Sequence, residues 1–256
     1  MTSVSQKPAV TLSTLDHGLT VLEYLAQHGP SSQNDIRQHL GVSRATAFRV
    51  IAALQGRGYA EHLPGTHQYR LGPSLLEMIK NAELSSVVEL AGAAMAGLRR
   101  ATGETVNLGL FRQGRITYAA IFDGSYALRM QAQVGDEVPL HATAIGKSVL
   151  AALPEAERAA LLGPEPYRRY TDRTLTRASQ VEGELARVAV QGYAIDDEET
   201  EVGASCIAAA ILGARGRPVG AISVSSASAR LRKGSARREL GQEIARWCKQ
   251  ISEHLA

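Results

Sequence analysis

The sequence has few of the features that mark secreted, membrane-spanning or metal-binding proteins. Only two of its 256 residues are cysteines, Cys206 and Cys248, which are too few for a disulfide framework and lack the spacing of metal ligands. No apolar run is long enough to cross a bilayer, and the N-terminal segment MTSVSQKPAV has no apolar signal stretch. The sequence therefore predicts a cytoplasmic protein with no membrane association, and we expect no metal, no cofactor and no catalytic residues.

An excess of charge of one sign is also missing. The chain has 28 Lys and Arg against 25 Asp and Glu, a net charge of +3. This balance permits nucleic-acid binding but does not argue for it. Since 45% of the residues are hydrophobic and 21% are charged, the chain is typical of a globular protein with one or two domains.

The pattern of the segment Ser31–Gly72 predicts a helix-turn-helix followed by a hairpin. A short amphipathic stretch places Ile36 and Leu40 on one face, Gly41 supplies the turn, and Ser43 begins a second helix, SRATAFRVIAALQG. The following YAEHLPGTHQYRLG has strands on both sides of a Pro-Gly bend. A helix-turn-helix places one helix in the major groove of DNA, so we predict sequence-specific DNA binding.

The period of the second helix separates a core face from a DNA face. Ala47, Val50, Ile51 and Leu54 share the core face at 100° per residue. We therefore predict DNA contacts from the other positions of this helix and from the wing. These residues are Ser43, Arg44, Ala45, Thr46, Phe48, Arg49, Thr66, His67 and Arg70. The alternative is a winged helix that binds protein.

From Glu104 onward, short alternating runs mix with helical segments, which predicts an α+β domain with a mostly antiparallel sheet. In PVGAISVSS, Ser223 and Ser225 fall on one strand face. In ASCIAAAILG, the same alternation groups Cys206 with small alanines. A sheet face of small residues and hydroxyls leaves room for a ligand, and the helix start at HATAIGK offers free N–H groups to a carboxylate.

The sequence resembles the IclR family of bacterial transcriptional regulators over nearly its whole length. The resemblance is carried by TLSTLDHGLTVLEYLA, GVSRATAFRVIAALQGRGYA, PLHATAIGKSVLAAL and GYAIDDEETEVGASCIAAAILGARGRPVGAISVSS. It implies a winged helix-turn-helix domain, a linker helix and a GAF-like effector-binding domain. With the residue patterns along the chain, we expect these at 11–72, 73–85 and 86–256, after a disordered leader at 1–10. The resemblance also implies homodimers or homotetramers that bind palindromic operators in double-stranded DNA and respond to small organic or aromatic carboxylates.

The resemblance further implies which residues hold the effector. These are Met130, Val138, Ala144, Ile145, Asp196, Cys206, Ser223 and Ser225. We therefore expect a ligand-responsive regulator of a catabolic operon, with repression as the favoured mode. Two alternatives remain open at this point. One is a constitutive architectural DNA-binding protein without an effector, and the other, which we favour least, is a hydrolase that uses Cys206 with His141 and Asp196.

Overall fold

The computed structural model describes residues 13–127, 132–231 and 234–255, apart from the side chains of residues 79–84. The chain divides into two compact units, Met1–Ala82 and Glu83–Ala256. None of the helices in the described ranges is long and apolar enough to span a membrane.

The first unit is a three-helix winged fold. Its elements are α1 (Ser13–His28), β1 (Ser31–Ser32), α2 (Gln33–Leu40), α3 (Arg44–Gly56), β2 (Ala60–His62) and β3 (Gln68–Leu71). Ser32 caps α2 with a capping box, and Gly41 ends this helix at φ 66°, a left-handed conformation that glycine adopts without strain. The helices bury Val21 and Ile36 against Ile51. The predicted helix-turn-helix and wing are confirmed.

One continuous helix, α4 (Pro73–Thr102), follows the wing. The composition around Ser85 and Ser86 predicts a break there, and that prediction is wrong because both serines lie inside this helix. The boundary between the two compact units falls within α4.

The second unit contains a five-stranded antiparallel sheet and several helices. Its elements are β4 (Thr105–Arg112), β5 (Arg115–Phe122), α5 (Ala144–Ala151), α6 (Glu155–Leu162), α7 (Ala178–Gln191), β6 (Ala194–Asp197), β7 (Ala204–Leu212), β8 (Pro218–Ala227) and α8 (Ser235–Leu255). The strand order in the sheet is β5-β4-β8-β7-β6. The predicted α+β class and antiparallel sheet are confirmed. Edge strand β6 was not predicted. The sequence ALRMQAQ (127–133) predicts a further strand, and this prediction falls largely on residues outside the described ranges.

The two faces of this sheet have different partners. One face carries Val106, Ile222 and Val224, which pack in the same apolar cluster as Met95 of α4 and Ile244 of α8. The other face carries small and polar side chains and packs against α5. Because strand residues alternate between faces, a sequence that is apolar at every second position necessarily exposes its polar set on the second face.

Candidate functional site

A cavity of about 380 Å³ opens on the polar face of the sheet. Seven residues that the sequence analysis assigned to an effector site line it, namely Val138, Ala144, Ile145, Asp196, Cys206, Ser223 and Ser225. The eighth, Met130, lies outside the described residues. The volume falls at the small end of the range for ligand pockets, which suits a ligand of few atoms.

Strand register brings the polar residues together. Cys206 of β7 lies opposite Ser225 of β8, and Ser223 of β8 lies opposite Asn107 of β4. The hydroxyls are 2% (Ser223) and 4% (Ser225) exposed, so their hydrogen bonds must come from neighbouring side chains or a ligand.

The asparagine at the centre of this face was not predicted. Asn107 Nδ2 donates to Ser223 Oγ at 3.2 Å and to Ser225 Oγ at 3.0 Å. Cys206 Sγ also lies 3.1 Å from Ser225 Oγ, as a donor to it. The four side chains therefore form one buried hydrogen-bonded network across three strands.

The start of α5 forms a second side of the cavity. Thr143 caps this helix, because its side chain accepts from Gly146 N at 3.0 Å. The N–H groups of Ala144 and Ile145 precede the first intrahelical hydrogen bond and are available to a ligand. Glycine is required at position 146 in the first turn of α5, because a Cβ there would lie 2.3 Å from the Leu140 carbonyl oxygen.

The turn that follows β6 fixes the side chain of Asp196 by hydrogen bonds. Its Oδ1 accepts from Glu199 N at 2.7 Å, and its Oδ2 accepts from Thr200 Oγ1 at 2.6 Å. Burial raises the pKa of Asp196, while the Thr200 and Glu199 hydrogen bonds and the nearby ammonium of Lys147 oppose that rise. The carboxyl group is thus fixed in direction and more easily protonated than in water.

A buried ion pair joins this turn to α5. Lys147 is completely buried and donates to Glu199 Oε1, which is itself 7% exposed. Burial raises the pKa of Glu199 to about 7 in spite of the ammonium beside it. Because Lys147 follows the free N–H groups of α5 and Glu199 positions Asp196, the pair fixes two sides of the cavity relative to each other.

The groups that a cysteine hydrolase needs are not assembled here. Burial raises the pKa of Cys206 to about 12, so the thiolate is scarce near neutral pH. His141 does not line the cavity, and its Nε2 is 2.9 Å from the Arg168 carbonyl oxygen. In the described part of the chain, no three His, Cys, Asp or Glu side chains are grouped as a metal site requires.

Sequence reasoning missed more than half of the lining. Besides Asn107, the missed side chains are Tyr118, Ala132, Asp136, Glu137, Pro139, Thr143, Tyr170, Thr200 and Glu201. Alternation along TVNLGLF would have placed Asn107 on the polar face, but only the register with β8 shows that it reaches both serines. The loop residues carry no comparable signal.

The first unit presents the predicted DNA helix to solvent. Ser43 caps α3 by accepting from Thr46 N at 3.1 Å. Arg44, Phe48 and Arg49 are exposed, and Ala45 is exposed beside them. The core face is as predicted, with Ala47, Val50 and Ile51 buried and Leu54 packed against the core.

Side chains of the wing are partly engaged. Thr66 Oγ1 donates to the Leu63 carbonyl and accepts from Gln68 N, so it stabilises the tip. The Arg70 guanidinium pairs with Glu61 across the hairpin. His67 is exposed at the tip.

A polar groove of about 400 Å³ lies between the wing and the helix-turn-helix. Of the predicted DNA contacts it brings together Arg44 and His67. It adds residues that sequence reasoning missed, namely Ser32, Gln33, Asn34, Arg37, His62 and Tyr69. Gln33 Nε2 is 3.5 Å from the Arg44 carbonyl oxygen, which ties the two helices at this groove.

Thr46 and Arg49 face a different, apolar groove of about 920 Å³. This groove runs between α1, α3 and the beginning of α4 and contains the exposed side chains of Leu15, Leu19 and Met78. Arg49 is therefore an exposed cation at the edge of an apolar groove.

Comparison with known proteins gives two family matches that together cover most of the chain. Residues 14–64 match the IclR helix-turn-helix domain, and residues 79–253 match the bacterial transcriptional regulator IclR C-terminal domain. The regulator XynR of Escherichia coli is 31% identical over 86% of this chain and 88% of its own length. The transcriptional repressor IclR of Escherichia coli is 29% identical over 88% of this chain and 86% of its own length. Among solved structures, Thermotoga maritima IclR matches with a TM-score of 0.62 and 27% identity over 96% of this chain and 99% of that one.

Proposed function

The chain belongs to the IclR family of bacterial transcriptional regulators, and we propose from this premise that a small carboxylate bound in the second unit controls its affinity for an operator. The family confirms the predicted DNA-binding, ligand-responsive regulator. The nature of the ligand, the residues that bind it and the assembly are what the proposal adds, together with a cytoplasmic location.

The arrangement of hydrogen-bond donors around the cavity carries the proposal. Ser223 and Ser225 offer hydroxyls from the sheet, and Ala144 and Ile145 offer N–H groups from α5. Hydroxyls and helix N-terminal amides are neutral donors that bind one carboxylate without a counter-charge. Apolar contacts from Val138 and the side chain of Ile145 would surround the remainder of the ligand.

We assign DNA reading to the tip of α3 and to the wing. Arg44 and His67 line the polar groove together with Arg37, so positive and polar groups converge there. Arginine at a recognition-helix tip contacts a guanine edge or a phosphate, and the wing contacts the backbone or the minor groove. Ser43, Ala45, Thr46, Phe48, Arg49, Thr66 and Arg70 complete the proposed contact set.

We propose that a second copy of the chain covers the apolar groove of the first unit. Leu15, Leu19, Leu76 and Met78 are each more than half exposed in this unit, which is costly for a monomer in water. A two-fold dimer would present two recognition helices to the two halves of a palindromic operator. We expect a homodimer as the DNA-binding unit, with a homotetramer as the larger assembly.

The coupling between the ligand and DNA is thermodynamic. A ligand changes operator affinity only by its different affinity for the DNA-binding and non-binding conformations. Coupling energies of this kind are typically about 1–3 kcal/mol, or about 5- to 150-fold in affinity.

The test is a thermal-shift screen of the full-length protein against small aliphatic and aromatic carboxylates. The double variant Ser223→Ala/Ser225→Ala is measured alongside, with Ser226→Ala as the matched control, because the Ser226 hydroxyl is bonded to Glu104 away from the cavity. We expect at least one acid to stabilise the wild type and Ser226→Ala but not the double variant. If no acid stabilises the wild type, or if the double variant responds equally, carboxylate sensing at this cavity is refuted.

A further inference from the structure

In the side-chain amide of Asn107, the NH2 group is hydrogen-bonded and, within the described part of the chain, the carbonyl oxygen is not. Its N–H groups are used by Ser223 and Ser225, as described above. Its Oδ1 is buried and has no hydrogen-bond partner among the described residues. The residue is 2% exposed, and its side chain lines the cavity.

The NH2 group of Asn107 determines whether the two serine hydroxyls donate or accept hydrogen bonds towards the cavity. Because Asn107 donates to both hydroxyl oxygens, each serine keeps its own hydrogen for another acceptor. Ser225 Oγ also accepts from the Cys206 thiol, which leaves its hydrogen free as well. The two hydroxyls therefore act as donors towards the cavity, where a carboxylate is the matching acceptor.

The carbonyl oxygen of Asn107 requires a hydrogen-bond donor. A buried carbonyl oxygen without a hydrogen bond is costly, and such atoms are rare in folded proteins. A carboxylate cannot satisfy it, because it too is an acceptor. A ligand that satisfies both the serine hydroxyls and this oxygen must carry a hydrogen-bond donor in addition to its carboxylate.

The charges around the cavity disfavour a second negative charge on the ligand. The described lining includes four acidic residues, Asp136, Glu137, Asp196 and Glu201, and no lysine or arginine. A second carboxylate on the ligand would be repelled by these groups. A hydroxyl group is the smallest donor that fits a cavity of about 380 Å³ without adding charge.

We propose that Asn107 determines ligand specificity: its Oδ1 accepts a hydrogen bond from a hydroxyl group of the ligand, so the cavity selects hydroxylated monocarboxylates over matched acids without that hydroxyl. This inference rests on the proposed carboxylate sensing and extends it to the second functional group of the ligand. Asn107 thereby has two roles, since it also orients the serines that bind the carboxylate.

The orientation of the amide makes the inference testable with small acids. If the amide were reversed, the serines would donate to Asn107 and its N–H would face the ligand. The cavity would then favour an oxo acid, which offers an acceptor at the same position. Sets of three acids that differ only at one carbon separate the two arrangements: lactate, pyruvate and propionate, and 3-hydroxybutyrate, acetoacetate and butyrate.

The experiment is isothermal titration calorimetry of the full-length protein with these acids and with the pair 4-hydroxybenzoate and benzoate. For the wild type we expect at least one hydroxy acid to bind about tenfold or more tightly than its unsubstituted partner and more tightly than the oxo acid. In Asn107→Ala this ratio should fall to about one. Asn107→Asp keeps an oxygen acceptor but loses the N–H groups that orient Ser223 and Ser225, so it should weaken both acids, by charge repulsion and by drawing the serine hydroxyls towards itself, while preserving the preference for the hydroxy acid.

Ser226→Ala serves as the control, because it removes a buried hydroxyl from the same strand without touching the cavity, and it should leave the ratio unchanged. Equal binding of the wild-type partners, a preference for the oxo acid, or a ratio that survives in Asn107→Ala overturns the role of Asn107 alone. If no acid of any kind binds the wild type, the proposed carboxylate sensing fails, and this inference fails with it. Should Asn107→Ala not fold, the wild-type ratios and Asn107→Asp still decide.

Discussion

Replacement of Lys147 by methionine should destabilise the second unit strongly. Lys147 is fully buried and its ammonium donates to Glu199, which is 7% exposed. Removing one partner of a buried ion pair typically costs about 3–5 kcal/mol, because the remaining charge is left without compensation. Methionine has a similar length, so the loss should come from charge and not from a cavity.

Because the pKa of Glu199 is raised, we expect the loss of stability in Lys147→Met to lie near the lower end of this range. Burial already raises this pKa to about 7, and without Lys147 the pKa rises further. Glu199 can then take up a proton, which limits the cost to about 3 kcal/mol at pH 7.5. The loss should be smaller at pH 5.5, where Glu199 is protonated in both proteins.

Urea unfolding monitored by tryptophan fluorescence measures this loss. The chain has one tryptophan, Trp247 in α8, so the signal reports the second unit. The double variant Lys147→Met/Glu199→Gln should regain most of the lost stability, because no unpaired charge remains. A loss below about 1 kcal/mol in the single variant, or a double variant no more stable than the single one, would refute the reasoning.

The other predictions concern pH, packing, DNA and the ligand. Between pH 4.5 and about 7, Glu199 is protonated in the folded state and ionised in the unfolded chain, so the free energy of unfolding should fall as pH rises through that window. The fall should be less steep in Glu199→Gln, and urea titrations at several pH values measure it. Gly146→Ala should lower the free energy of unfolding by about 1–3 kcal/mol, and with it the melting temperature, because the new Cβ would collide with a backbone carbonyl. An unchanged melting temperature would contradict this close approach. Arg49→Ala should weaken operator binding by about 1–3 kcal/mol if it reads a base, whereas unchanged affinity and salt dependence would remove it from the interface. Ser223→Ala should weaken the ligand without changing operator affinity in the ligand-free protein, and equal losses of both would indicate a folding defect instead.

Local sequence patterns were sufficient for the elements that alternate or repeat strongly. The alternation in PVGAISVSS placed Ser223 and Ser225 on one face, and the structure has both on the cavity side. The turn at Gly41 and the cap at Ser43 follow from local chemistry that involves only neighbouring residues. Such features are readable because their causes lie within a few residues of chain.

Features that depend on distant residues were not predictable. Asn107 reaches the serines only because β4 lies beside β8, 116 residues further along the chain. The Lys147–Glu199 pair joins residues 52 apart, and a lysine in a helix normally indicates a solvated face. The break expected at Ser85 reflects a weak preference of serine that the continuous helix α4 overrides.

The most direct test of the account is the affinity for a selected palindromic operator with and without a stabilising acid. The operator is selected from random DNA with the full-length protein, and its Kd is measured by fluorescence anisotropy at fixed salt. With the acid in large excess, we expect the Kd of the wild type to change by about 5- to 150-fold, and that of Ser223→Ala/Ser225→Ala to stay constant. A wild-type Kd that no bound acid alters would contradict the central claim and leave a constitutive DNA-binding protein.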